Sequence, residues 1–148
     1  MAASLNNSQV VTGTRLVPRA RPLVLVTDDD ENTRSLFTTM LEISGYSVIE
    51  AEDGEQAVRL AESAQPDLIL MDGRLPRLDG FAATRRIREL GRAGRVPIVF
   101  VSGHAEPAFH ALAREAGCDE YLVKPFSLNQ LGDLLEKYLG HRARAFAI

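Results

Sequence analysis

The chain has no tryptophan, a single cysteine and few aromatic residues of any kind, 6% in all. With Cys118 alone, an intrachain disulfide is excluded, and a reducing compartment, the cytoplasm, is the expected location. Long hydrophobic runs are missing too. The first twenty residues hold no apolar stretch of signal-peptide length, and the later apolar runs are far too short to span a bilayer, so membrane insertion is not expected. Net charge is also small. A formal charge of -3 provides no broad basic field, which argues against composition-driven binding to nucleic acid or to an anionic membrane, and against a DNA-binding output. What remains is ordinary globular material: 148 residues, 45% hydrophobic and 25% charged, enough for one core.

Met1 to Arg21 is polar and unpatterned, with Pro18 and Pro22 at its end, and is expected to be a flexible tail over 1–21. Five short apolar runs follow: Leu23 to Val26, Ser47 to Ile49, Leu68 to Met71, Ile98 to Val101 and Tyr121 to Val123. Each has the length and aliphatic content of a strand. Helical spacing separates them. The first helix carries Thr33, Leu36, Phe37, Met40 and Leu41 and stops at Gly45. The second opens on Asp53-Gly54-Glu55-Gln56, a capping-box pattern, and ends before Pro66. The third starts near Asp79, buries Ala83, Ile87 and Leu90, and stops at glycine. The fourth follows Pro107, buries Ala108, Leu112 and Ala116, and stops at Gly117. The fifth begins with a second capping box, Ser127 to Gln130, and aligns Leu131, Leu134, Leu135 and Tyr138. A domain over 22–139 and a short C-terminal tail over 140–148 follow from this pattern.

Strands so uniformly apolar must be covered on both faces. The alternation therefore predicts an α/β, doubly wound, five-stranded parallel sheet with helices on both faces. In such folds ligands sit beyond the carboxyl ends of the strands. The polar residues gather there: Asp28, Asp29, Asp30 and Glu31 after the first strand, Asp72 after the third, Ser102 after the fourth, and Lys124 with Pro125 after the fifth. Each alone has an ordinary explanation. Acids are favoured at a helix N-terminus, lysine at a strand end usually snorkels into water, and serine often caps a turn. Together they do not. Asp72 ends an apolar strand beside other carboxylates, a crowding that raises pKa values and costs stability unless a cation joins them. Mg²⁺, a hard cation bound by one or two carboxylates and by phosphate oxygens, meets that need, and Lys124 supplies a second positive charge.

The ordered set Val26-Thr27-Asp28-Asp29, Met71-Asp72-Gly73-Arg74-Leu75-Pro76, Val101-Ser102-Gly103 and Tyr121-Leu122-Val123-Lys124-Pro125-Phe126 resembles the receiver domain of response regulators, of the single-domain CheY-like kind, over about residues 22–139. The resemblance implies the flavodoxin-like strand order 2-1-3-4-5. It also implies that Asp72 is the phosphoacceptor and that Asp29 and Asp72 ligate Mg²⁺, with Asp28 helping through a water and the Arg74 backbone carbonyl completing the set. Lys124 would pair with the phosphoryl group, Ser102 would hydrogen-bond to it, Tyr121 would change rotamer as Ser102 moves, and the Lys124-Pro125 bond would be cis. The implied donor is a phosphohistidine on a sensor histidine kinase or histidine phosphotransfer protein. The implied output is an unknown downstream protein at the face of helix four, strand five and helix five, including Phe109, His110, Tyr121 and Asn129. No catalysis on an outside substrate is implied, only the chain's own phosphorylation and dephosphorylation.

Two other readings compete. Haloacid-dehalogenase-type phosphatases also use an aspartate after a first strand with a second acid two residues on, as Asp28 and Asp30 stand here, and Ser102 and Lys124 fit their later motifs. They need a further acidic pair after the lysine, whereas only Asp133 and Glu136 follow, inside the last helix. A pseudo-receiver, docking without phosphorylation, normally lacks the acceptor, an acid or the lysine; all are present. Gly73, Arg74 and Leu75 depart from the commonest receiver pattern. Arg74 there, and His104 two residues beyond Ser102, bear on how long a phosphoryl group survives.

Overall fold

A computed structural model describes residues 20–140, so most of both expected tails, 1–19 and 141–148, lies outside the described residues. The elements run β1 (Leu23–Thr27), α1 (Glu31–Ile43), β2 (Ser47–Ala51), α2 (Gly54–Ala64), β3 (Leu68–Met71), α3 (Gly80–Arg88), a 3₁₀ turn (Gly91–Arg95), β4 (Ile98–Ser102), α4 (Pro107–Ala116), β5 (Glu120–Val123) and α5 (Leu128–Leu139). All strand pairs are parallel and the order is β2-β1-β3-β4-β5, as expected.

Side chains alternate across each strand, so the sheet divides the interior in two. Val24, Val26, Leu70 and Val99 face Phe37 and Leu41 of α1 and Leu131 and Leu135 of α5. Leu25, Ile69, Met71 and Phe100 face Ala57 and Ala61 of α2, Ala83 and Ile87 of α3, and Ala113 of α4. This two-sided burial is why the strand sequences show no polar alternation. Each fully buried Leu, Ile, Val or Phe contributes about 1.5–3 kcal/mol relative to exposure.

Register then places the chemistry. Thr27 is level with Met71, so Asp28 and Asp72 leave the sheet side by side. Ser102 is level with Val123, which brings Lys124 up beside it.

Four local expectations are corrected. On α4 the structure buries Ala113 and Ala116 but leaves Leu112 46% exposed and Ala108 exposed. The helix is turned so that alanines approach the sheet while Phe109 and His110 stack on His104 and Tyr121. Helix α3 ends at Arg88, before Leu90, and Gly91, with φ +68°, enters the 3₁₀ turn instead of stopping the helix. At α2, Asp53 accepts from Gln56 N–H as expected, but the Gln56 side chain accepts from Glu52 N–H and not from Asp53. Strand β2 runs on to Ala51 because its charged residue, Glu50, accepts hydrogen bonds from Arg34 and Thr38, which also hold its carboxyl below the usual range, the Thr38 hydroxyl most. The α5 capping box forms as expected, Ser127 Oγ accepting from Gln130 N–H and the Gln130 side chain from Ser127 N–H. Among the described residues no helix is long and apolar enough to cross a membrane.

Candidate functional site

The site is built from backbone just past the strand ends. Asp28 follows β1 and is only 5% exposed. Its N–H donates to Ala51 O (3.1 Å), and its Oδ1 accepts from Asp30 N–H (2.9 Å). Asp30 caps α1, its Oδ2 accepting from Thr33 N–H, so of the acidic run only Asp28 and Asp29 turn to the cluster. Asp72 follows β3. Its N–H donates to Thr27 O and Thr27 Oγ1, both at 3.2 Å, and its Oδ1 accepts from Arg74 N–H (3.0 Å).

Carboxylate oxygens of Asp28, Asp29 and Asp72 lie within 4.8 Å of one another. Burial first, and then the Asp28 and Asp29 charges, push the Asp72 carboxyl up from its ordinary value, against the Arg74 N–H and Lys124. Lys124 Nζ stands 3.5 Å from Asp28 Oδ2. The Lys124-Pro125 bond is cis, as expected, and Lys124 N–H donates to Ser102 O at 2.8 Å. These three clustered oxygen donors, with Lys124 the nearby cation and the Asp72 carboxyl pushed up by burial and its acidic neighbours, fit a hard divalent cation of the Mg²⁺ kind. Arg74, expected to offer its carbonyl, has its backbone tied to the same Asp72 carboxylate.

Ser102 is buried at the end of β4, its Oγ accepting from His104 N–H at 3.2 Å. Tyr121 is half-buried and stacks on His110 (centroids 3.9 Å apart) and on Phe100 (6.1 Å). His104 stacks on Phe109 at 4.1 Å, with Nδ1 3.4 Å from Glu106, so its ring leans toward α4. The Arg74 side chain is exposed.

Two features escaped the sequence reading. One is a groove of about 570 Å³ between α1 and the segment after β5, lined by Thr33, Leu36, Phe37, Met40, Lys124, Pro125, Phe126 and Leu128. Leu36 within it is 63% exposed, and that surplus apolar residue on α1 was the available signal. The other is Arg34, whose guanidinium bonds to the backbone of Asp28.

The profile of the response regulator receiver domain matches residues 24–136. The chain is 32% identical over 117 residues to the polar-differentiation response regulator DivK of Brucella anthropi, covering 79% of this chain and 95% of DivK. It is 41% identical over 104 residues to the alkaline phosphatase synthesis transcriptional regulatory protein PhoP of Bacillus subtilis, covering 70% of this chain but only 42% of PhoP. Among solved structures it is similar to the receiver domain of sensor histidine kinase PA1611 from Pseudomonas aeruginosa PAO1, which holds a magnesium ion in its active site cleft (TM-score 0.77, 38% identity, 82% of this chain and 100% of that one). It is also similar to chemotaxis protein CheY4 of Vibrio cholerae (TM-score 0.75, 28% identity, 80% and 99%). By profile, sequence and fold, the chain belongs to the response regulator receiver domain family of two-component signalling.

Proposed function

We propose that the protein is a phosphoacceptor switch: Asp72 takes a phosphoryl group from a phosphohistidine on a sensor histidine kinase or histidine phosphotransfer protein. The observation that carries this is the convergence of three carboxylates within 4.8 Å, with Lys124 Nζ 3.5 Å from one of them. Asp29 and Asp72 would hold Mg²⁺ directly, with Asp28 behind a water and the Arg74 carbonyl alongside; the ion, when bound, neutralises charge on the transferred oxygens. A carboxylate oxygen of Asp72 forms the new bond to phosphorus as the nitrogen–phosphorus bond of the donor breaks, its electron pair returning to the imidazole. The Arg74 N–H on Oδ1 fixes the carboxylate plane during that attack. Lys124 pairs with the phosphoryl oxygens, and the Ser102 hydroxyl turns to them once they are in place.

Nothing outside the chain is turned over; the chemistry is gain and loss of its own phosphoryl group. The signal leaves by altered protein binding at α4, β5 and α5, where Phe109, His110, Tyr121 and Asn129 stand. The largely apolar groove that Lys124 helps to line suits the helix that presents the phosphohistidine. A cytoplasmic location fits this partner class.

The test is intact-mass measurement after incubation with acetyl phosphate and Mg²⁺. One added phosphoryl group is expected, abolished in a folded Asp72→Asn variant. Modification that persists in that variant sinks the site assignment. An unmodified wild type that still binds its partners points to the docking module instead.

A further inference from the structure

We infer that Arg34 is a positioning residue for this site: it clamps the Asp28–Asp29 peptide in the orientation that presents both carboxylates, and Glu50 in turn sets Arg34. The inference rests on the Mg²⁺-dependent phosphoacceptor reading and deepens it.

Thr27 is the last β1 residue paired with β2, opposite Ala51. Beyond it the Asp28 N–H still reaches Ala51 O, at 3.1 Å. The Asp28 carbonyl is met from the other side by Arg34 Nη1 at 2.9 Å. The C=O of Asp28 and the N–H of Asp29 belong to one planar unit. Holding that carbonyl therefore fixes where the Asp29 backbone goes, and with it the direction of an otherwise exposed side chain.

Arg34 is not free to do otherwise. Its side chain is 13% exposed, its Nε donates to Glu50 Oε1 at 3.0 Å, and the other Glu50 oxygen accepts from Thr38 Oγ1 at 2.6 Å. The guanidinium thus bridges a strand carboxylate and a loop carbonyl with two edges of one rigid fork. A lysine ammonium, a single point on a flexible stem, does not span both. An ordinary surface ion pair adds about 0–1 kcal/mol of stability and leaves the site untouched. This one has its second bond on the peptide that joins two of the three clustered acids. Groups standing behind metal ligands typically change metal affinity about 10- to 100-fold when removed.

The experiment uses the full chain as wild type, Arg34→Met, Arg34→Lys, Glu50→Gln and the Arg34→Met/Glu50→Gln double variant. Mg²⁺ affinity is measured by calorimetry, amide exchange at Asp29 and Asp30 in the metal-free protein by NMR, and stability by urea unfolding. Arg34→Met is expected to weaken Mg²⁺ about 10-fold and to speed exchange at Asp29 and Asp30. At saturating Mg²⁺ its maximal rate of labelling by acetyl phosphate should stay within about twofold of wild type. Arg34→Lys should recover little of the affinity. The double variant should bind Mg²⁺ no more weakly than Arg34→Met, because Glu50 acts through Arg34. An Arg34→Met protein that loses stability while keeping wild-type Mg²⁺ affinity and wild-type exchange overturns the inference. If the wild type itself binds no Mg²⁺, the phosphoacceptor reading falls, and the exchange rates alone decide the clamp: faster supports it, unchanged refutes it.

Discussion

Gly80 opens α3 against the end of β3, beside Asp72, and replacing it tests how closely that helix must approach. A Cβ there would lie 2.2 Å from Asp72 O, 2.8 Å from Gly73 Cα and 3.0 Å from the Asp72 carbonyl carbon. Some backbone atom must move by about 0.8 Å or more to reach the closest distance packed atoms tolerate. The helix cannot simply retreat, because Gly80 N–H donates to Gly73 O at 3.0 Å. Removing a helical glycine gains about 0.5–1 kcal/mol, whereas overpacking costs about 1–3 kcal/mol, so the clash wins. The net loss is about 0–2.5 kcal/mol, toward the upper end because the contact is with backbone, which makes the fall in Tm up to about 10 °C at about 4 °C per kcal/mol. Because the displaced peptide is that of Asp72, the labelling rate with acetyl phosphate should fall up to about 100-fold, the cost of misplacing a reacting group by about 1 Å. Gly54→Ala is the control. Its Cβ would lie 1.9 Å from Leu78 O, a backbone clash of the same kind but in the loop before α3. It should lose similar stability yet label within about twofold of wild type. A Gly80→Ala protein with wild-type melting and labelling refutes the reasoning, and equal loss of labelling in both variants shows that instability alone is responsible.

Glu120 accepts hydrogen bonds from Lys137 and Tyr138, which hold its carboxyl below the ordinary 4.5, the lysine most. A lowered folded pKa gives stability that is present above 4.5 and lost as pH falls through the folded value. Glu120→Gln should therefore melt below wild type at about pH 6, and the gap should narrow as the pH is lowered toward about 3, in thermal scans across that range. A constant gap contradicts the assignment. Phosphoryl lifetime is expected to depend on Arg74, an exposed and permanently charged side chain two residues beyond Asp72 that can lie across a phosphoryl group and keep water out, so decay of the phosphorylated protein at fixed Mg²⁺ should quicken in Arg74→Ala. Decay at the wild-type rate would show that Arg74 does not keep water from the phosphoryl group. The His104 ring is held by Phe109, so His104→Ala should not slow decay; slower decay would identify His104 as an aid to the attacking water.

Much of the site was legible because polar residues interrupt apolar runs. Asp28, Asp72, Ser102 and Lys124 each stand where such a run ends, and a parallel sheet brings all those ends to one edge. What escaped depends on spatial neighbours. Ala108-Leu112-Ala116 and Phe109-Ala113-Ala116 fit helical spacing equally, and alanine is too small to decide between them; the stacking of Phe109 and His110 on residues outside α4 does. Gln56 found the N–H of Glu52 within reach before that of Asp53, a choice of geometry that the pattern of residue types does not contain. Arg34 looks like any solvated charge on α1 until Glu50 of the neighbouring strand is placed beside it. The groove exists only where α1 meets the loop that follows β5.

The strand ends also explain how a crowded set of carboxylates is held without a large packed environment of its own. Three of the site's residues donate the next ladder-like hydrogen bond past their strand: Asp28 N–H to Ala51 O, Asp72 N–H to Thr27 O, and Lys124 N–H to Ser102 O. Their positions are therefore set by the most deeply buried part of the molecule. Their directions are set by different bonds, from Arg34 to the Asp28 carbonyl and from Arg74 N–H to the Asp72 carboxylate. Ser102 has a looser arrangement: its side chain accepts one backbone bond, from His104, in the segment that leads into α4. The sheet can thus keep the acids together against their repulsion, while the hydroxyl expected to sense the phosphoryl group is tied to backbone that lies outside the sheet. The acids are thus anchored at the ends of β1 and β3, and the Ser102 hydroxyl on the β4–α4 connection, so that a displacement of that connection would reach the hydroxyl without disturbing the acids.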